Sequence, residues 1–505
     1  MASAESTPIR LLRTARPSSA ARRTAAFAAG IPAVLALLLL AGVLLRLGVM
    51  LLYQPAILNN ADTPTYVTMA DGGLFGDPVR PAGYPLFMIA VHAISSQLSF
   101  MIGVQHLLGV ATALLLYAAA RRVGAPVWAG AVGAAAVLLS LDQIVLEHMI
   151  LSEALFTFLI SLVLYVCVRA LDEPRPLLWR LDSRLAWLLA AGLVLGLAAW
   201  VRGVGMPMLP FLALWVALAI PGPALRRVGR GALAIAPAIA LLLVYFAIND
   251  SRTGTFGLTQ SSGWSMYSRM APLADCDQFT PPAGTEALCE TSAPGTRFGP
   301  DFYGWEPGSP AINLFTYPPN GDDKLGAFAR EAILHQPRAY AQAVATDVAR
   351  YFIPDYKTYA FGGPGYDTLD IDRRDPVLER EVYGWVSAYY DGNFHEIDRG
   401  VSVLSEIQDW VRVQPLLMLA AIALGVAGIV LARGRVRAAL VLLCGTVLLL
   451  LLIPSATANY NVRYGIPVGG PVMLAGALGL WVILGRISQW RGRTPEPGGE
   501  SAPAG

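Results

Sequence analysis

The chain has 505 residues, 55% of them apolar and only 14% charged, with a mean hydropathy of +0.52. A soluble domain carries about 25% charged residues, so a wholly water-soluble fold is excluded. The formal net charge of +2 supplies none of the concentrated basic surface that nucleic acid demands, and nucleic acid is not expected among the partners.

Residues 1–30 form a basic tail (Arg10, Arg13, Arg16, Arg22 and Arg23) that leads into a long apolar run without a small-residue cleavage site. A secretory signal has an apolar core of only about 7–15 residues, so the run reads as a retained anchor. A bilayer-crossing helix takes about 20 apolar residues. Spans are predicted at 31–53, 101–120, 126–144, 150–171, 185–200, 204–220, 229–249, 413–432, 436–454 and 465–486, about ten in all. The stretch 84–98 is apolar but is broken by Pro85 and Ser95-Ser96, and reads as interfacial. The expected fold class is an all-α polytopic membrane protein. It has an N-terminal module 31–249, an inserted α-rich loop domain 250–412, C-terminal helices 413–487 and a Pro/Gly/Ser-rich tail 488–505 that should be disordered.

Arginines set the orientation. Arg121-Arg122, Arg169 to Arg184, Arg226-Arg227-Arg230, Arg433-Arg435-Arg437 and Arg486-Arg491-Arg493 occupy every second connection, the pattern of cytoplasmic loops. Both termini are then cytoplasmic. The first outer loop 54–100 and the block 250–412 face outward, across a plasma membrane. Cys276 and Cys289 fall in that block, where an oxidising compartment permits a disulfide. Closing so short a loop stabilises by roughly 3 kcal/mol in the chain-entropy model. Cys167 and Cys444 sit in apolar runs and read as packing residues. Within the block, KLGAFAREAILHQ and PRAYAQAVATDVARYF carry helical patterns, the second opened by Pro337 in its first turn, and a further pattern covers 376–411.

The outer face also gathers charges that a bilayer discourages. Asp62 and Asp71 follow span one, in ADTPTYVTMADGG; Asp142, Glu147, His148 and Glu153 surround the start of span four; Arg46, Arg80, Arg202 and Arg463 lie near the outer rim. Burying such groups unpaired costs several kcal/mol. Arginines in short outer loops also run against the positive-inside bias. Carboxylates and guanidiniums converging at membrane depth suggest a site for an anion such as a lipid phosphate, with a carboxylate placed as general base. Each residue has a plainer rival. Asp62 caps a helix 63–71, Glu153 complements a helix dipole, Arg46 snorkels to headgroups, and Asp71 and Asp77 are solvated loop carboxylates or turn formers. His148 beside Glu147 permits a metal, though a lone histidine signals it weakly. Trp264, Tyr267, Tyr303 and Trp305 either stack on sugars or fill a small core, and the core is favoured. There is no Walker loop; GGPGY at 362–366 is turn chemistry rather than a dinucleotide fingerprint, and no Gly-x-Ser-x-Gly elbow is present.

Asp62-x-x-x-Tyr66 and Arg80-Pro81-Ala82-Gly83-Tyr84-Pro85-Leu86-Phe87 resemble the first outer loop of the GT-C glycosyltransferases, in particular the dolichyl-phosphate-mannose protein mannosyltransferases and aminoarabinose transferases. Leu151-Ser152-Glu153-Ala154-Leu155-Phe156, Arg202-Gly203, Glu331-Ala332-Ile333 with His335-x-Pro337-x-x-Tyr340, and Arg463-Tyr464-x-x-Pro467 follow in order. The chain departs from the family at Ala82, where a second proline is usual, and at Gly203, where a proline is common. The resemblance implies a sugar donor on polyprenyl phosphate and an inverting transfer at the outer face, with Asp62 as base. Glu153 orients the acceptor or assists a metal, and Arg202, Arg463 and Arg46 hold the donor phosphate. Tyr66, Arg80, Tyr84 and His148 are expected against substrate. The acceptor is a glycan, a lipid or a protein. No cofactor is certain, and a divalent cation (Mg2+ or Mn2+) is left open. The rival functional reading is a multi-pass transporter or flippase of lipid-linked or anionic substrates; a receptor or scaffold needs only one span.

Overall fold

The computed structural model describes residues 32–58, 62–178, 181–354, 376–392 and 400–491. The basic tail, the C-terminal tail from 492 and the GGPGY turn lie outside the described residues. Within them the chain is nearly all helical; its strands are Pro176–Leu178 and Leu181–Asp182, which pair antiparallel.

Among the described residues, seven helices are long and apolar enough to cross a membrane: Ala33–Leu52, Leu98–Arg122, Glu153–Ala170, Ser183–Val201, Ala224–Thr253, Gly434–Thr457 and Val462–Trp490. An eighth crossing is made if Val127–Leu138 and Leu141–Glu147, bent by 53° at their junction, count as one. The expected count of ten is therefore not met. The other two predicted spans are helical, but at Gly203–Ala219 and Pro415–Leu431 they are shorter than a full crossing. At 1.5 Å per residue, 17 residues rise only about 25 Å, against a hydrocarbon core of about 30 Å. The stretch read as interfacial holds the ten-residue helix Gly83–His92, too short to cross.

Two apolar cores divide the molecule. One runs through the helical bundle, from Leu35 to Leu478. The other is confined to the inserted block, where Trp264, Tyr267, Met270, Tyr303, Leu325 and Phe328 pack together. These aromatics fill a core, as favoured, whereas Trp305 stays exposed. The block contains Ser262–Met270, Pro300–Trp305, Pro310–Phe315, Asp322–His335, Pro337–Arg350, Pro376–Tyr389 and Val401–Trp410. Pro337 stands in the first turn of its helix, as expected. Cys276 and Cys289 form the disulfide, with Cα atoms 5.9 Å apart, and both pack against the second core. The block is tied to the bundle by the Tyr340 hydroxyl, which donates to the Ala456 carbonyl at 2.8 Å.

The two ends of the bundle differ in kind. At one end Asp172 collects Arg122 (2.7 Å) and Arg435, and Arg169 stacks over Trp187. At the other end lie the C-termini of Ala33–Leu52 and Ser183–Val201 and the N-termini of Glu153–Ala170 and Val462–Trp490. The chain segments bearing Asp62, Ser152-Glu153, Arg202 and Arg463 emerge there together.

Candidate functional site

Four charged side chains of the site are placed by helix termini. Asp62 is the first residue of Asp62–Ala70, and Glu153 the first of Glu153–Ala170. Carboxylates are favourable there because the unpaired N–H groups of the first turn carry partial positive charge, so the dipole reading of Glu153 holds alongside its ion pair. Arg202 is the extended residue that ends Ser183–Val201. Arg463 is in the first turn of Val462–Gly465, whose N-cap Asn461 accepts from the Arg463 N–H at 2.9 Å.

Together they form a continuous ionic chain. Arg80 grips Asp62 Oδ1, with Nε at 2.8 Å and Nη2 closer. Arg463 Nη1 donates to Asp62 Oδ2 at 3.1 Å and lies 3.8 Å from Glu153 Oε1. Arg202 Nη1 reaches Glu153 Oε1 at 2.7 Å and Ser152 Oγ at 3.0 Å. Tyr66, one turn along from Asp62, donates its hydroxyl to Ser152 Oγ at 3.1 Å. The Tyr464 ring lies beneath both guanidiniums, at 5.3 Å from Arg202 and 6.0 Å from Arg463. Asp77 accepts from the backbone N–H groups of Val79 (2.9 Å) and Arg80 (2.6 Å). It is the turn former expected, and the turn it forms presents Arg80.

Burial would raise the Asp62 carboxyl, but Arg80 first and Arg463 second outweigh it and hold it well below the usual carboxylate range. The Tyr66 hydroxyl is pushed upward by burial first and by Asp62 next, so it stays protonated and can donate. The cluster is reachable from outside. Asp62 is 22% exposed and Arg80 and Arg202 each 19%, whereas Glu153 is only 2% exposed.

Three predicted residues sit elsewhere. Arg46 is sealed at 3% exposure, its guanidinium spent on both oxygens of Glu147 (2.8 and 2.9 Å) and on the carbonyls of Gly42, Leu138 and Val137. Neither snorkelling nor phosphate binding is open to it. His148 belongs to the same buried network. Its Nδ1 faces His106 Nε2 at 3.2 Å and its Nε2 meets the Tyr53 carbonyl at 3.0 Å, while His106 Nδ1 contacts Glu147 at 3.0 Å. Tyr84 is fully buried and donates to Gln105 Oε1 at 2.9 Å, with its ring edge-on to Tyr66. It therefore supports Tyr66 rather than a substrate. Gln105 in turn donates to the carbonyls of Glu147 and Met149. The network thus holds the segment that delivers Ser152 and Glu153. Gln105 and His106 were missed in the sequence, where their signal was a polar pair inside an otherwise apolar span.

A divalent cation needs carboxylates or imidazoles that converge without guanidiniums between them. Here Asp62 and Glu153 are each faced by arginines. Among the described residues no three His, Cys, Asp or Glu side chains gather into a metal-binding set.

The family model of dolichyl-phosphate-mannose-protein mannosyltransferases matches residues 95–248, which bears out the resemblance over that stretch. No curated protein sequence matches the chain. Among solved structures, the apo oligosaccharyltransferase of Archaeoglobus fulgidus is similar with a TM-score of 0.46 and 14% identity, over 91% of this chain and 51% of that one. This chain thus spans about half the length of that protein. ArnT from Cupriavidus metallidurans bound to undecaprenyl phosphate gives a TM-score of 0.37 and 14% identity, over 89% of this chain and 78% of that one.

Proposed function

We propose that this chain is a membrane glycosyltransferase that moves a sugar, hexosyl or pentosyl, from a polyprenyl-phosphate donor to an extracytoplasmic acceptor. Transfer inverts the anomeric carbon, with Asp62 as general base. The observation that carries the reading is the ionic chain Arg80–Asp62–Arg463–Glu153–Arg202, left partly open at one end of an apolar bundle. The mannosyltransferase match, which takes in Ser152, Glu153 and Arg202, supports it.

In the resting site the carboxylates occupy the guanidiniums that a phosphate would use. A phosphodiester arriving from the lipid competes for the same N–H forks, which suit phosphate as well as carboxylate. When Arg463 turns to it, Asp62 Oδ2 is released and its basicity rises. Arg80 stays on Oδ1 and fixes the carboxylate's orientation. Asp62 then takes the acceptor's hydroxyl proton as the acceptor oxygen bonds to the anomeric carbon. The bond from that carbon to the phosphate oxygen breaks, and its electron pair goes to the polyprenyl phosphate. Arg202 and Arg463 stabilise the charge gained there. Such a leaving group needs no general acid, and the proton on Asp62 passes to water.

The test is release of isoprenoid phosphate by the full chain in lipid nanodiscs, supplied with isoprenoid-phosphate-linked hexoses and pentoses and a cell-envelope extract as acceptor. Asp62→Asn should lower the rate by about 10²–10⁴-fold without lowering thermal stability to the point of unfolding. Full activity in that variant would sink the base assignment. Passage of isoprenoid phosphate across a vesicle bilayer without cleavage of the sugar bond would favour the transporter instead.

A further inference from the structure

We propose that a groove between the inserted block and the bundle is the acceptor site, and that it takes the end of a neutral, hydroxyl-rich glycan. This inference rests on the glycosyl-transfer reading above. The cavity measures about 820 Å³, within the range of roughly 300–1,000 Å³ typical of small-ligand pockets.

The groove adjoins two of the three segments that deliver arginines to the ionic cluster. Met206 lines it and is held by the short 3-10 turn Gly203–Gly205 that follows Arg202, its N–H donating to the Gly203 carbonyl at 3.0 Å. Gln260 lines it as well, and its N–H donates to the Pro78 carbonyl at 2.7 Å, two residues before Arg80. A ligand seated here lies beside the segments that present Arg202 and Arg80.

The lining suits a sugar. Phe246, Phe256 and Phe315 offer aromatic faces, and Phe256 is 61% exposed. It therefore contributes little to a core and is open to a partner. The Phe315 ring is fixed by Gly321, which has φ +72° and where a Cβ would stand 2.3 Å from the ring; only glycine allows that approach. Asp322 is oriented by the Trp264 N–H, which donates to its Oδ1 at 2.9 Å. Asp323 is exposed and makes no ion pair among the described residues. Sugar C–H faces pack on aromatic rings, and sugar hydroxyls donate to carboxylates and exchange hydrogen bonds with an amide such as Gln260.

Charge narrows the class. Asp322 and Asp323 stand against the single cation Lys324, which lies over Phe315 at 5.8 Å. Two negative charges against one positive leave the lining net negative, which disfavours uronic or phosphorylated glycans. A polyprenyl tail would strip water from those carboxylates without giving them a partner. A peptide that binds by adding a strand to a sheet edge finds none here, because the strands among the described residues lie between Ala170 and Ser183, at the other end of the bundle.

The experiment is direct binding of neutral hexose and pentose trisaccharides to the full chain in nanodiscs, by saturation-transfer NMR. The comparison probes are trigalacturonic acid and a Ser/Thr-rich hexapeptide. A neutral trisaccharide should bind, and Phe256→Ala and Asp323→Asn should each weaken it by about tenfold, the scale of a lost aromatic or polar contact. Phe298→Ala, at an exposed ring outside the groove, should leave binding unchanged. Four results would overturn the proposal: no neutral glycan binds, all variants bind equally, the anionic glycan or the peptide binds more tightly, or a photoreactive isoprenoid phosphate labels Phe256. Binding needs no turnover, so its outcome is separate from that of the isoprenoid-phosphate release assay.

Discussion

Gly109 is the point where the buried network can be tested most sharply. A Cβ built there would stand 1.8 Å from Glu147 Oε1 and 2.3 Å from its carboxyl carbon. Gly109→Ala must therefore push away a carboxylate that is 0% exposed and holds both Arg46 and His106. Separating a buried ion pair costs about 3–5 kcal/mol, and replacing a helical glycine by alanine returns about 1 kcal/mol. A net loss of about 2–4 kcal/mol follows. Gly103, earlier on the same helix, is the control. A Cβ there meets only the Met50 methyl at 3.9 Å, so Gly103→Ala should be neutral or stabilising by up to about 1 kcal/mol. The assay is unfolding of the purified protein in mixed micelles by sodium dodecyl sulfate titration. With Glu147→Ala as background the clash has no target, and Gly109→Ala should add less than about 1 kcal/mol. The reasoning is refuted if Gly109→Ala is as well tolerated as Gly103→Ala, or if its cost is undiminished without Glu147.

Three further outcomes follow from the geometry. The Asp62 carboxyl is held below its ordinary range in the folded protein, so its contribution to stability is present in full above the unfolded value, near pH 4, and is lost as pH falls through the lower folded one. The stability difference between wild type and Asp62→Asn should thus be constant from neutral pH to about pH 5 and shrink below pH 4. For the same reason Asp62 should set no acid limb on kcat/KM above pH 5, whereas kcat should acquire one once bound phosphate has drawn Arg463 away; identical acid limbs on both would contradict that exchange. Cys276→Ser opens a loop of 13 residues. It should cost the inserted block roughly 3 kcal/mol, read as faster proteolysis at Phe298 or Trp305, with no change in the detergent stability of the bundle.

The sequence was most informative where a rule was broken. Arg202 and Arg463 stood out because positive-inside bias disfavours them, and both reach carboxylates. Hydropathy located a helix at every predicted span but overestimated how many of them are long enough to cross, because it registers apolar character and not where a helix begins and ends. Pairings over long separations had no local signature. Arg46 and Glu147 are 101 residues apart, so an arginine locked by five hydrogen bonds looked like one free to meet lipid. The polar groups of Gln105 and His106 lay within a span and were read as part of its length. The groove's aromatics come from three separate stretches, so their shared wall was not visible in any one of them.

The ionic chain also has an order of assembly written into it. Asp62 and Arg80 are 18 residues apart and Arg202 follows Ser152 by 50, but Arg463 lies 401 residues beyond Asp62. Chains are made from the N-terminus, so the two carboxylates have their nearer arginines long before the shared one is synthesised. The guanidinium that joins the two halves arrives with the last span. A polypeptide stalled or cut before residue 463 therefore holds two half-sites and no bridge between them. The centre stays divided until Val462–Trp490 has been inserted.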